Sequence, residues 1–206
     1  AAIPDGFTPI FDGKTLKGWH VSRSNHHGSD PEVLVKDGVL LIGENPFGAG
    51  GILLTDKHYE DFELYLEANG DPGCDGGVFL RSTESGNAYQ ITLDDTGAKN
   101  ANGNLIGEAR KIGKGGRNTT DLWKVGEWNT LRVRVTGDDS PHMTFWLNGS
   151  QVWDVDEGPS DYITDKVGGS IAVQSHFNTA WYGGLSPRWV PGAYHRFRNI
   201  AVKELP

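Results

Sequence analysis

Residues 62–67 read FELYLE, and their alternation decides the fold. Side chains along an extended strand point to opposite faces in turn, so Phe62, Leu64 and Leu66 share one face and Glu63, Tyr65 and Glu67 the other. The apolar set belongs between two sheets, which leaves the polar set facing water or a concave groove. The same alternation recurs along the chain. It sets Phe79 and Arg81 opposite Val78 and Leu80, sets Gln90, Thr92 and Asp94 opposite Tyr89, Ile91 and Leu93, and sets Ala172, Gln174 and His176 opposite Ile171 and Val173.

Working outward, strands are expected at 38–42, 51–55, 62–68, 77–82, 88–93, 128–136, 142–147, 151–155, 169–176 and 196–204, with no sustained helical period anywhere. Asn148-Gly149 between two such runs is a strong hairpin signal, because that turn needs positive φ at both positions; Asp37-Gly38 precedes another strand. Ten short strands divided by Gly, Asn and Asp imply an all-β fold, a two-sheet antiparallel β-sandwich. Neither a repeat nor a linker divides the chain, so residues 1–206 read as a single domain. Two long segments lack periodicity, 95–124 and 177–193; the second carries Trp181, Tyr182 and Trp189, with Tyr194 just beyond, and reads as a packed loop shaping a cleft.

Composition narrows the function. Glycine supplies 29 of 206 residues, about twice the usual share. A net charge of −8 disfavours nucleic acid and anionic lipid surfaces; the basic run RKIGKGGR at 110–117 reads as a solvated loop rather than an anion site. No apolar run is long enough for a membrane-spanning helix. One cysteine, Cys74, permits no internal disulfide and reads as an inert thiol. Metalloprotease, phosphate-loop, serine-esterase and dinucleotide motifs do not occur. His26-His27, adjacent in an extended chain, should point to opposite sides, and no metal ligand set is assigned. Asp71-Pro-Gly-Cys-Asp75 suggests a Ca2+ loop, though without the full ligand ladder of an EF-hand.

If their strands share a sheet, Glu67, Arg81, Gln90, Asp94, Gln174 and His176 converge. Carboxylates that move protons, Arg and Gln that bind hydroxyls, and Trp faces that stack on sugar C–H groups form a saccharide-handling set. Trp146, Trp181 and Trp189 are the candidates for stacking. Glu63 and Glu67 lie about 13 Å apart at roughly 3.3 Å per residue. That exceeds the roughly 5 to 9.5 Å of a direct hydrolase pair.

Eight blocks now carry a resemblance across nearly the whole chain: FTPIFDGKTLKGW (7–19), GGILLTDKHYEDFELYLEA (50–68), GGVFLR (76–81), YQITLDD (89–95), GEWNTLRV (126–133), WLNG (146–149), IAVQSHF (171–177) and FRNIAVKEL (197–205). In this order they resemble the 3-keto-disaccharide hydrolase domain family. The resemblance implies a concanavalin A-like jelly roll and cleavage of 3-keto-glycosides by elimination and hydration at C1–C2. For that chemistry, the strand faces offer Glu67 or Asp94 as base or acid, His176 as second proton carrier, Arg81 with Gln90 or Gln174 as ligands for substrate and enolate, and Trp146 and Trp181 as stacking platforms. A non-catalytic carbohydrate-binding jelly roll and a direct glycoside hydrolase of laminarinase type remain alternatives.

The chain departs from the family pattern at Asp75, where Asn is usual, at Gly76, where Ser is usual, and at Gln174-Ser175-His176-Phe177, where QDHG is usual. Gly50, Gly51, Gly73, Gly76 and Gly77 are expected to leave room for a sugar to approach the backbone. The expected partner is a saccharide or 3-keto-saccharide, and the residues carry no signature of an oligomeric state. Ala1-Ala2 suits the small residues around an export cleavage site, so a periplasmic or secreted location is expected.

Overall fold

The structure, a computed structural model, describes residues 2–45, 48–96, 102–108, 121–159, 168–178 and 188–206. Fourteen strands are found among them: β1 Thr8–Pro9, β2 Trp19–Val21, β3 Pro31–Lys36, β4 Val39–Glu44, β5 Gly51–Thr55, β6 Phe62–Gly70, β7 Asp75–Ser82, β8 Ala88–Asp94, β9 Leu105–Glu108, β10 Asn129–Thr136, β11 His142–Leu147, β12 Ser150–Asp156, β13 Ser170–Ser175 and β14 Tyr194–Glu204. They form an eight-stranded sheet, ordered β12-β11-β10-β6-β14-β4-β3 with β1 on β14, and a six-stranded sheet, ordered β2-β5-β13-β7-β8-β9. Every pairing is antiparallel. The all-β jelly-roll sandwich is therefore the fold, and no helix among the described residues is long and apolar enough to cross a membrane.

The alternation in FELYLE builds the interior. Phe62, Leu64, Leu66 and Ala68 of β6 join Leu131, Val133 and Val135 of β10 and Phe197 and Val202 of β14, facing Val78, Leu80, Tyr89, Ile91, Leu93, Ile171 and Val173 of the six-stranded sheet. Asn148 and Gly149, at φ 50° and 82°, close the β11–β12 hairpin as their side chains allow. Four strands lie where no run was expected. β1 and β2 have two and three residues, too few to show a period; β3 opens on Pro31, a residue that weakens a strand signal and suits the sheet edge where β3 lies; and β9 lies in the segment 95–124 expected to be loop.

Candidate functional site

The two sheets present different outer faces, and this separates the expected site residues. Glu67 does not join Arg81, Gln90, Asp94 and Gln174, because β6 belongs to the eight-stranded sheet whereas β7, β8 and β13 belong to the six-stranded one. On its own outer face Glu67 is buried and engaged by Arg198 at 2.9 Å and by Asn199. Burial opposes its charge, but these hydrogen bonds prevail and hold the carboxyl below its ordinary value. Glu63 is bound likewise by Arg132, while Arg198 covers the Trp128 ring at 4.0 Å. Trp146 is on this face too, its ring beneath Arg132 at 5.5 Å, at a depression of about 330 Å³ lined by Pro4, Tyr65, Thr130, Arg132 and Gly149.

Arg81 also departs from expectation. Its φ of 50°, beside a register shift in β13, breaks the strand alternation at the end of β7. The buried guanidinium donates to the Glu60 and Asp138 carbonyls and to the Asp61 carboxylate, between 2.7 and 3.0 Å. Arg81 thus ties β7 to the segments flanking the other sheet, its guanidinium engaged by protein groups. Trp181 lies outside the described residues. Trp189 is buried, donates its indole N–H to the Ala193 carbonyl and packs edge-on against His195, so it belongs to the packing of its loop.

Gln90, Asp94, Gln174 and His176 do meet on the outer face of the six-stranded sheet. Register places Gln174 beside Gly77 and Gly77 beside Thr92. Having no side chain, Gly77 admits the Gln90 amide, which donates to Gln174 at 2.9 Å and to the Gly76 carbonyl at 3.1 Å; a Cβ at Gly77 would lie 2.2 Å from that nitrogen. A Cβ at Gly76 would strike the Gln174 carbonyl, and one at Gly73 would strike Val190. The protein itself fills the space these glycines leave, contrary to the expectation that a sugar would use it.

At the N-terminal end of β7, Asp75 stands opposite Asp94, and the His176 amide donates to the Asp75 carbonyl at 2.9 Å. Arg188 reaches both carboxylates, at 3.0 Å from Asp75 and 3.6 Å from Asp94. Its position follows from backbone pairing of its segment with 73–75. Burial first, and the Asp94 charge second, push the Asp75 carboxyl up to about 7. His176 moves the other way: burial holds its imidazole below the ordinary value, against the contact between Nδ1 and the Phe177 carbonyl at 2.7 Å. That contact places the proton on Nδ1 and leaves a lone pair on Nε2. Near neutral pH the row therefore offers a carboxyl that can give a proton and an imidazole that can take one.

Asp75 and Arg188 were not among the expected site residues. Pairing GGVFLR against YQITLD in register would have brought Asp75 to Asp94, whereas Arg188 lies in a segment without periodicity. Asp71, the other acid of the supposed calcium loop, is occupied by Arg196 and the Tyr194 amide, so Asp71 and Asp75 serve different arginines instead of one cation. Cys74 is buried, its thiol pushed up by burial, which fits an inert group.

Comparison with known proteins gives a consistent likeness. The sequence profile described as the 3-keto-alpha-glucoside-1,2-lyase-like domain matches residues 6–203. A 3-keto-disaccharide hydrolase of Bacteroides thetaiotaomicron is 32% identical over 85 residues, 39% of this chain and only 29% of that protein's length. A non-specific endo-beta-1,3(4)-glucanase superposes with a TM-score of 0.63 at 14% identity, over 98% of this chain and 92% of that one. A carbohydrate-binding module from Bacillus subtilis superposes with a TM-score of 0.57 at 13% identity, over 91% and 96%. Identities this low make the two superpositions a likeness of fold.

Proposed function

Because the chain belongs to the 3-keto-alpha-glucoside-1,2-lyase-like domain family, we propose that it is a carbohydrate-active enzyme that cleaves 3-keto-glycosides, with Asp75, Asp94, His176 and Arg188 as its reaction centre. The observation that carries this reading is the row at one end of the six-stranded sheet, where Asp75 stands opposite Asp94, Arg188 reaches both carboxylates and His176 is tied to the Asp75 backbone. A ketone at C3 acidifies the hydrogen on C2. His176 Nε2 removes that proton, the C–H electrons form the C1–C2 double bond, and the C1–O bond breaks. Asp75 in its protonated form delivers a proton to the departing oxygen. Water then adds to the enone, hydroxyl to C1 and hydrogen to C2. Arg188, a fixed cation beside the row, opposes the negative charge that builds on the C3 oxygen, and Asp94 keeps the Asp75 carboxyl high. Gln90 and Gln174, both buried, hydrogen-bond each other beneath this row and hold the sheet face in place.

Incubation with a matched glucoside and 3-keto-glucoside in D2O tests this. The expected outcome is release of the aglycone from the keto substrate alone, with deuterium at C2 of the sugar beyond that in an enzyme-free control. Turnover of the plain glucoside, or cleavage without C2 label, would indicate direct hydrolysis. Binding without turnover of either compound would leave a carbohydrate-binding module, the use to which the same fold is put in the Bacillus subtilis protein.

A further inference from the structure

Further along the same sheet face, His26, His27 and Glu108 converge, with one ligand atom from each lying within 4.8 Å of the others. The adjacent histidines do not point apart as an extended chain would require. Their segment is folded so that the two rings lie 3.9 Å apart between centroids and tilted by 39°, with Nε2 of His26 at 3.7 Å and Nε2 of His27 at 4.0 Å from Glu108 Oε2. His27 is buried against Phe79, and Glu108 is carried by β9 across from Ala88. Two imidazoles and one carboxylate with further positions open form a donor set suited to a borderline first-row cation and unlike the all-oxygen set preferred by Ca2+ or Mg2+.

We propose that His26, His27 and Glu108 form a binding site for a divalent cation of the Zn2+ or Co2+ type. Tetrahedral ligands at about 2.0–2.1 Å from Zn2+ stand roughly 3.3 Å apart, so side-chain movements of about an ångström close the triangle. The Gly86 carbonyl, 2.9 Å from His27 Nε2, is spaced to act as a further ligand. Burial holds the His27 imidazole down to about 4, so it meets a cation in its neutral form. Without the cation, His27 Nε2–H donates to Gly86 and Nδ1 receives the Gln174 amide at 3.1 Å. Coordination moves the ring proton to Nδ1, which requires Gln174 to turn its amide oxygen toward it. Reversal of the Gln90–Gln174 relay supplies that oxygen and gives the buried Gln90 Oε1, partnerless among the described residues, a donor; the bond to the Gly76 carbonyl is given up.

The test needs no sugar and so stands apart from the catalytic reading. Untagged full-length chain is stripped with EDTA and titrated with Co2+, following the visible d–d absorption, then challenged with Zn2+ and with Ca2+. The expected result is saturation at one equivalent, displacement by Zn2+ but not by Ca2+, and a loss of affinity in His26→Ala and Glu108→Gln exceeding the about 10–100-fold typical of losing an outer-shell partner. Both side chains are partly exposed, and near-UV circular dichroism verifies that the variants fold. His20→Ala, altering the separate His20–Asp56–Glu84 cluster, should leave binding unchanged. No saturable Co2+ signal, displacement by Ca2+, undiminished affinity in both variants, or loss in His20→Ala would each overturn the proposal.

Discussion

The outer faces of the two sheets follow the same alternating rule and reach opposite electrostatic ends. On the eight-stranded sheet, Glu63 and Glu67 each meet an arginine of a neighbouring strand, and those arginines lie over Trp146 and Trp128. On the six-stranded sheet, Asp75 and Asp94 share Arg188, leaving a carboxyl that gains its charge only near neutrality. Alternation explains that polar residues face outward on both. Cross-strand pairing explains why the carboxylates of one face are each closed by an arginine while the two on the other share one, which is where the reaction is proposed.

Exchanging residues between the roles assigned to the two faces should separate them. The largest effect is expected at His176→Ala and Asp75→Asn, each lowering kcat on a 3-keto-glycoside by about 10²–10⁴-fold while near-UV circular dichroism stays native. Arg81→Leu should leave kcat within a few-fold but destabilise the fold by about 2–4 kcal/mol in urea titration, because the Glu60 and Asp138 carbonyls lose their donor.

A pH effect comes next. The Asp75 carboxyl is raised in the folded chain, to about 7 from an ordinary 3.8, so the native state binds a proton that the unfolded chain releases. Its contribution to stability is complete below about pH 4 and is lost as pH rises toward 7. Urea titrations of wild type and Asp75→Asn across that window should show wild type losing stability relative to the variant by a few kcal/mol; an opposite slope would break the assignment. Smallest of all, Trp146→Ala should change KM for the keto substrate by less than about two-fold, since its face carries no part of the proposed reaction centre.

The sandwich was legible because apolar alternation and Asn-Gly chemistry act locally. FELYLE, GGVFLR and YQITLD each report their own faces. Which sheet a strand joins depends instead on distant pairings, so Glu67 read as a neighbour of Gln90 although β6 lies between β10 and β14. Arg81 escaped the pattern through one positive φ, which alternation alone does not register. Arg188 lies in an aperiodic segment, and His26 and His27 depart from strand alternation because the chain there folds instead of extending. Gln90, Asp94, Gln174 and His176 were readable because β7, β8 and β13 are regular neighbours. Gly76 and Gly77 are explained without a sugar, by the close approach of His195 and Gln90 to the sheet backbone.

The most direct test of the central claim is a side-by-side measurement of kcat on a 3-keto-glucoside for Asp75→Asn and Glu67→Gln. The six-stranded face as reaction centre predicts collapse of turnover in Asp75→Asn and near wild-type turnover in Glu67→Gln, whose cost falls on stability. Retained turnover in Asp75→Asn together with collapse in a folded Glu67→Gln would place the chemistry on the other sheet and contradict the account.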